Sequence, residues 1–555
     1  MNKYLQKTLD SNILPIIIFI ALAIAITYPW FFNTGQLFLL DMVWGPNANY
    51  AKFSESSYLQ DWVHKNTYAV ITSILPIAFM QKIYLTTIFF IAGASMHALA
   101  KKIIYSSQEK KYLLPTAIAG IFYATNSFII TRFLMGQHVL LFAYALTPLL
   151  CIAWLQLLQK QTVKNTLVAT LLISIITLTS IHHLYIIPML LGILSIKHKK
   201  IAKNTAIAIP LITYTVIIFL TILHYLVISK TPTILNAQEF LAYAPNALYT
   251  NSIWIDTILL TANWKTNLNY FLPHELISGY SILWITWIII MSIGIKNQKK
   301  EGQHPQLINN LLLIFITATI LAIGISSSIT RPITQIIQQI PYSAIMRDTG
   351  KWMSLIAISE SIFLACGIHA IIRVINTQNK PSARKTLPIF YLAILCITFY
   401  FISPAVRGIT GQIKTSSYPA SWYNLNNALP KNSTAIFFPW HQYLSLSFTN
   451  NNVVANPAPS FFTNIKVISG DNAERNTQHQ EQASQTSQKI QLLLEEKSQN
   501  NKTKALKELI NSQNISYIVL NTDNPNSKNY NWLFQQSYLT HIINNSELSV
   551  WQFTP

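Results

Sequence analysis

Apolar residues run through positions 12–403 in stretches long enough, or nearly long enough, to cross a bilayer. Short polar gaps separate them. About 20 consecutive apolar residues cross a hydrocarbon core. On that measure the pattern predicts eleven spans: 12–32, 83–100, 112–130, 138–158, 165–181, 184–196, 205–227, 278–295, 308–328, 352–372 and 386–403. The stretch 184–196 is short, and is kept as a crossing kinked at His182-His183 and Pro188. The stretch 67–80 has the length of a re-entrant or interfacial helix rather than a span.

After residue 403 the pattern changes. Residues 415–555 have the size of one soluble domain. Short apolar runs at 435–440 and 516–520 read as buried strands, and 548–553 as a third whose alternation slips phase between Val550 and Trp551, so that either the run makes a poorer strand or a bulge sits there. Residues 474–500 and 504–512 read as helices. The predicted fold class is therefore mainly α: a polytopic bundle over 1–403 and a small C-terminal α/β domain over 415–555.

Charge gives the bundle a direction. Of the 28 Lys/Arg in 1–403, 19 fall in alternate gaps: Lys3, Lys7, Lys101, Lys102, Lys110, Lys111, Lys160, Lys164, Lys197, Lys199, Lys200, Lys203, Lys296, Lys299, Lys300, Arg373, Lys380, Arg384 and Lys385. The other gaps hold nine: Lys52, Lys65, Lys82, Arg132, Lys230, Lys265, Arg331, Arg347 and Lys351. Cytoplasmic loops collect cations, so the N-terminus is expected in the cytoplasm and the C-terminal domain outside the cytoplasmic membrane. The first span carries no small-residue cleavage motif and reads as a retained anchor. The net charge of +20 lies mostly in the membrane part, which explains it by topology and anionic lipid without nucleic acid. Cys151, Cys366 and Cys396 all fall in apolar spans, leaving the C-terminal domain no disulfide.

Three long gaps on the expected outer face, 33–82, 228–277 and 329–351, are large enough to build a site. Asp41, flanked by apolar residues just past the first span, is the first candidate. Enclosed, it would hold a raised pKa and take a proton from a hydroxyl, or hold a divalent cation; the plainer alternative is a solvated loop acid or helix cap. Arg347-Asp348-Thr349-Gly350-Lys351-Trp352 places two cations and a carboxylate where a loop meets a span, suited to a phosphate or, more plainly, an interfacial anchor with an internal Arg347–Asp348 pair. Arg132, followed by Gly136-Gln137-His138, is a third cationic junction, with a snorkelling arginine as its alternative. Glu360 lies deep in a span, where acids are costly and face the protein interior, and the pair His182-His183 sits at a span end. Asp61, Asp256 and Glu275 are reserve acids. No phosphate-cradling glycine loop is present, so no nucleotide cofactor is expected; the metal question stays open.

Three local patterns resemble one family. They are Tyr123-Ala124-Thr125-Asn126-Ser127-Phe128 with Arg132, Gly136-Gln137-His138 and Tyr144-Ala145-Leu146-Thr147-Pro148; Met346-Arg347-Asp348-Thr349-Gly350-Lys351-Trp352; and Phe437-Phe438-Pro439-Trp440 with Ile515-Ser516-Tyr517-Ile518-Val519. With the retained first span, the early outer acid and the exported tail, they are similar to the GT-C superfamily of membrane glycosyltransferases, nearest the YfhO-like proteins and the membrane regions of arabinofuranosyltransferases. Ser127 stands where that group usually has proline, and Asp41 lacks the second acid of many GT-C enzymes. The resemblance implies an inverting glycosyltransferase of the cell envelope that moves a sugar from a polyprenyl-phosphate donor to a glycan, lipid or protein acceptor. It implies Asp41 as base and Arg132, Arg347 and Lys351 on the lipid phosphate, supported by Gln137, His138, His182, His183, Asp348 and Glu360. Two other readings stand beside it: a transporter or flippase using Glu360 and the membrane-level histidines His97, His182, His183 and His224 as a proton relay, and a non-catalytic glycan-binding scaffold.

Overall fold

The computed structural model describes all residues except 1–12, 47–49, 54, 55, 57, 106–111, 198–204, 230–236, 267, 303, 341, 378–380, 472–483 and 555. Lys3, Lys7, Lys110, Lys111, Lys199, Lys200, Lys203, Lys230 and Lys380 of the charge pattern lie outside the described residues. The chain divides into two compact units. One comprises Met1–Pro29, Ala51–His64 and Ile83–Ile413; the other comprises Trp30–Tyr50, Lys65–Lys82 and Lys414–Pro555.

The helices of the bundle are α1 (Ile13–Phe31), α2 (Leu59–Thr72), α3 (Ile77–Ile104), α4 (Leu113–Thr125), α5 (Ser127–Leu134), α6 (His138–Gln159), α7 (Val163–Thr179), α8 (His183–Leu194), α9 (Thr205–His224), α10 (Tyr280–Glu301), α11 (Pro305–Ile323), α12 (Arg331–Gln338), α13 (Met353–Thr377) and α14 (Pro381–Ile402). Among the described residues eight helical segments are long and apolar enough to cross a membrane; α7, α8 and the Thr386–Ile402 part of α14 are shorter apolar helices. These eleven correspond one for one with the spans expected from the sequence. The protein is a multi-pass membrane protein.

The stretch 67–80 is not one re-entrant helix. Its first residues end α2, a turn follows at residues 73–76, and Ile77 starts the 28-residue α3. Pro76 explains the division, because it disfavours helical backbone in the residue before it while the chain after it is free to wind. Nor is the span at 112–130 continuous. Asn126, extended at ψ 167°, interrupts it between α4 and α5. Its side chain accepts from Ile129 N and donates to Tyr123 O and to Tyr144 Oη, so it supplies part of the bonding that the break removes from the backbone.

The centre of the bundle is α13, buried from Met353 to Ala370. It crosses α10 at two glycines. A Cβ on Gly367 would stand 1.9 Å from Ile290 O, and one on Gly294 would stand 2.4 Å from Gly367 N. Small residues let the two backbones touch, the usual basis of tight helix pairing in lipid.

In the second unit a five-stranded sheet has the order β6-β3-β7-β9-β8, with β3 (Thr434–Phe438), β6 (Lys466–Ile468), β7 (Tyr517–Asn521), β8 (Leu539–Asn544) and β9 (Leu548–Phe553). β6, β3 and β7 are parallel, while β9 pairs antiparallel with β7 on one side and with β8 on the other. The register slip expected at Val550–Trp551 is borne by the partner strand: the pairing shifts between His541 and Ile543, opposite those residues. Helices span Ala420–Ala428, Gln485–Glu495 and Gln499–Gln513. The predicted helix 474–500 is thus shorter and ends in a break, and its residues 474–483 lie outside the described residues. Ile436, Phe438, Ile490, Leu506, Ile510 and Trp551 fill one face of the sheet, and Trp422, Phe437, Phe461, Val519 and Val550 the other.

This unit also takes in the segment that carries Asp41. β1 (Gln36–Leu37) pairs with β2 (Thr415–Ser416), Leu40 O accepts from Ala455 N at 2.7 Å, and Tyr418 Oη donates to Trp44 O at 3.1 Å. Phe38 is buried against Tyr418 and Phe448.

Candidate functional site

Two of the sequence's cationic junctions meet in the membrane unit. Arg132, on the last turn of α5, is 1% exposed and forms a two-pronged ion pair with Asp348, its Nη2 lying 3.1 Å from Oδ1 and its Nη1 bonded to Oδ2. Nη1 also donates to Gln137 Oε1 at 3.2 Å. A planar guanidinium fits a carboxylate in this manner, and burial demands it. Asp348 precedes the 3-10 turn Thr349–Trp352 that leads into α13, and Lys351 Nζ lies 3.9 Å from Asp348 Oδ2. A Cβ on Gly350 would stand 2.7 Å from Arg132 Nη2, so the glycine makes room for the arginine. Thr349 Oγ1 ties the turn to Ala322 O at 2.9 Å. Burial alone would raise the Asp348 carboxyl, but Arg132 and Lys351 outweigh it and hold the group below its ordinary value.

Arg347 is not the partner of Asp348. The internal pair considered from sequence is replaced by Arg132–Asp348, for which Gly350 leaves room, while Arg347 lies against an aromatic ring. Arg347 is half-buried, with its guanidinium carbon 4.6 Å from the ring centroid of Tyr243. His182 sets Nδ1 3.0 Å from Ile345 O. Burial first, then the charge of Lys351, the neighbouring His183 and the charge of Arg347, keep its imidazole well below the ordinary histidine range, so it is neutral at pH 7. With Nδ1–H donating to Ile345 O, Nε2 is left as an acceptor.

The remaining candidates make other contacts. His138 Nδ1 faces Tyr84 Oη at 3.5 Å, and its ring lies 5.3 Å from that of His64. His183 is fully buried, with neither ring nitrogen bonded among the described residues. Glu360 is buried in α13, its Oε2 without a partner among the described residues and within electrostatic reach of Tyr144 and Tyr280. Of the reserve acids, Asp256 is fully buried and accepts from Tyr249 N at 2.7 Å and Thr250 N at 2.9 Å, while Glu275 accepts from Leu272 N at 2.6 Å. Both organise local backbone. Among the described residues no three His, Cys, Asp or Glu side chains gather in a metal-binding group.

Asp41 belongs to the other unit. The enclosure expected from its apolar neighbours is absent: Leu39, Leu40 and Met42 are buried, whereas Asp41 itself is exposed. A tight turn, closed by Leu39 N to Met42 O at 3.2 Å and Met42 N to Leu39 O at 2.9 Å, directs the apolar side chains inward and the carboxylate outward. Tyr443 Oη donates to Asp41 Oδ1 at 2.9 Å.

Sequence reasoning missed Tyr243 and Tyr443. The available signal for Tyr243 was the aromatic content of its long gap; nothing local to Tyr443 marks it.

No known protein-family profile matches the chain, and no curated protein matches it. Among solved structures, the arabinofuranosyltransferase AftD from mycobacteria aligns with a TM-score of 0.58 at 10% identity, over 97% of this chain and 41% of its own. The present chain thus spans about two fifths of AftD. ArnT from Cupriavidus metallidurans, bound to undecaprenyl phosphate, aligns over 98% of both chains at 9% identity, but its TM-score of 0.37 carries no argument. The likeness to AftD extends over nearly the whole chain, bundle and α/β unit included, and this multi-pass membrane protein therefore has a GT-C-type fold.

Proposed function

We propose that the protein is an inverting glycosyltransferase that moves a sugar from a polyprenyl-phosphate donor to a hydroxyl of a glycan, lipid or protein acceptor at the outer face of the cytoplasmic membrane. The observation that carries the reading is the cationic start of α13 on a GT-C-type fold. Arg132 and Lys351 are ion-paired with the Asp348 carboxylate, and Arg347 lies beside them in the chain with its guanidinium over Tyr243. Cations gathered at one helix start suit a lipid phosphate, whose negative charge grows as it leaves.

In this reading an acceptor oxygen bonds to the anomeric carbon while the bond from that carbon to the phosphate oxygen breaks. The electron pair stays with the polyprenyl phosphate, and the acceptor's proton goes to the Asp41 carboxylate. Arg347 and Lys351 meet the phosphate. Arg132, already held by Asp348, positions the turn that presents Lys351. His182, neutral, offers Nε2 as a hydrogen-bond acceptor without adding charge.

Purified full-length protein in lipid nanodiscs, given a labelled polyprenyl-phosphate sugar and a cell-envelope extract as acceptor, is expected to transfer label. Asp41→Asn should abolish transfer, and Arg347→Ala should lower it about 10²-fold or more, the scale of one lost electrostatic contact in a transition state. Full transfer by Asp41→Asn would remove the base from the scheme. No transfer from any polyprenyl-phosphate sugar would remove the scheme itself.

Glu360 supports a second reading, as a transporter or flippase, since its buried carboxyl lies at membrane depth. In that case proteoliposomes would move a lipid-linked sugar between leaflets, and Glu360→Gln would stop the movement.

A further inference from the structure

The segment 329–351 begins with an unusual helix. α12 and the turns that flank it carry three rows of side chains, each spaced about one turn apart. Ile329, Ile333, Ile336 and Ile340 form one row and are all exposed, Ile336 to 69% and Ile329 to 71%. Thr330, Thr334 and Gln338 form the second and are buried. Arg331, Gln335 and Gln339 form the third and are exposed.

A helix on a water-soluble surface buries its apolar row and exposes the rest. Here the protein takes the polar row: Thr330 Oγ1 donates to Gly324 O at 2.5 Å and Ser343 Oγ to Gln338 O at 3.3 Å. The isoleucine row is left outward beside a separate polar, cationic row. Three faces with three chemistries fit a helix that lies at a boundary, with protein on one side, hydrocarbon on another and water on the third.

The neighbouring elements identify the hydrocarbon as lipid. α11, which ends at Ile323 and is joined to this segment through a 3-10 turn, exposes Leu313 and Ile316 in the middle of a membrane span. Tyr342, just beyond the row, sets its ring 5.5 Å from Tyr225 at the end of α9. Around that end Leu220, Leu223, Leu226 and Val227 are exposed on an apolar span that is mostly unburied. The isoleucine row thus lies close to Tyr342, whose ring meets the end of an apolar span with exposed leucines.

We infer that α12 is an amphipathic helix lying flat in the headgroup region, with Ile329, Ile333, Ile336 and Ile340 packed on bilayer lipid and Arg331, Gln335 and Gln339 turned to water. The segment that carries Arg347 then starts within the headgroup layer, and a lipid that reaches it does so past this row of isoleucines. The inference goes beyond the transferase reading and is measured without any reaction.

The test uses full-length protein in nanodiscs of phosphatidylethanolamine and phosphatidylglycerol, with Cys151, Cys366 and Cys396 replaced by serine or alanine. Single cysteines at Ile333, Ile336, Gln335 and Gln339 carry a nitroxide, and power saturation compares molecular oxygen, which concentrates in lipid, with a water-soluble nickel chelate. Labels at Ile333 and Ile336 should favour oxygen over the chelate at least fivefold more than labels at Gln335 and Gln339. All four substitutions sit on exposed positions, so each is expected to fold, and monodisperse elution confirms it. Chelate-dominated relaxation at Ile333 and Ile336 would overturn the inference by placing them in water. Protection of both from oxygen and chelate alike would also overturn it, by showing that a second copy or another protein covers the row.

Discussion

Arg132 and Asp348 stand 216 positions apart in the chain and meet as a buried two-pronged pair. Removing one member of such a pair strands the other charge in a low dielectric. Asp348→Asn should therefore cost about 3–5 kcal/mol of stability. An Arg132→Met/Asp348→Leu double variant, which strands no charge, should lose less; thermal unfolding in detergent compares the two. A larger loss in the double variant would mean that packing, not charge, makes the pair indispensable. Acid should act through the same residues. His182 is held neutral, below its ordinary value, so the unfolded chain binds a proton that the folded chain refuses. Stability is then fully present above about pH 6.5 and falls as pH drops from there towards the folded value. Asp348 is also depressed in the fold, so its contribution is intact above about pH 3.9 and is lost only as pH falls through its lower folded value. Unfolding temperatures at pH 7.5 and 5.5 should differ for the unaltered protein and differ less for His182→Gln.

At the scale of elements, the crossing of α10 and α13 decides how the centre of the bundle packs. Gly367→Ala puts a carbon where Ile290 O already stands, and rigid backbone cannot yield as a flexible side chain would. The helices must separate, with an expected loss of about 1–3 kcal/mol, the scale of overpacking. By contrast Gly192→Ala, with nothing within 4 Å of the added carbon, should be neutral or slightly stabilising, since alanine favours helix. Melting curves of the two variants in the same detergent separate crowding from a general intolerance of change. Equal losses would show that the crossing is not special.

Across the whole molecule, the sorting of cations makes a claim about sides. A single cysteine at Lys489 is expected to react with an impermeant maleimide in intact cells, and one at Lys164 only after the membrane is opened. Both side chains are exposed, whereas Ser487 is buried and bonded to Asp471, and so makes a poor reporter. The labelling is done with Cys151, Cys366 and Cys396 replaced. Protection of Lys489→Cys in intact cells would place the C-terminal unit in the cytoplasm and reverse the roles of the gaps.

The positions of the apolar helices and the strands at 516–520 and 548–553 were legible in the chain. Each rests on local composition: a run of apolar residues must become a helix in lipid, where no water satisfies the backbone. Even the register slip near Trp551 left a trace in the alternation of its strand. What the chain did not disclose depends on residues far apart in sequence. That Asp348 pairs with Arg132 and not with adjacent Arg347 depends on helices far apart in sequence meeting, and on the room left at Gly350. The segment with Asp41 folds into the C-terminal unit because β1 finds its partner at Thr415–Ser416 and Phe38 finds Tyr418 and Phe448, hundreds of residues later. Asp41 itself points outward since a turn closed by backbone bonds sends its apolar neighbours inward, which composition alone could not reveal. Local composition determined which segments enter the membrane; long-range packing decided which charges meet.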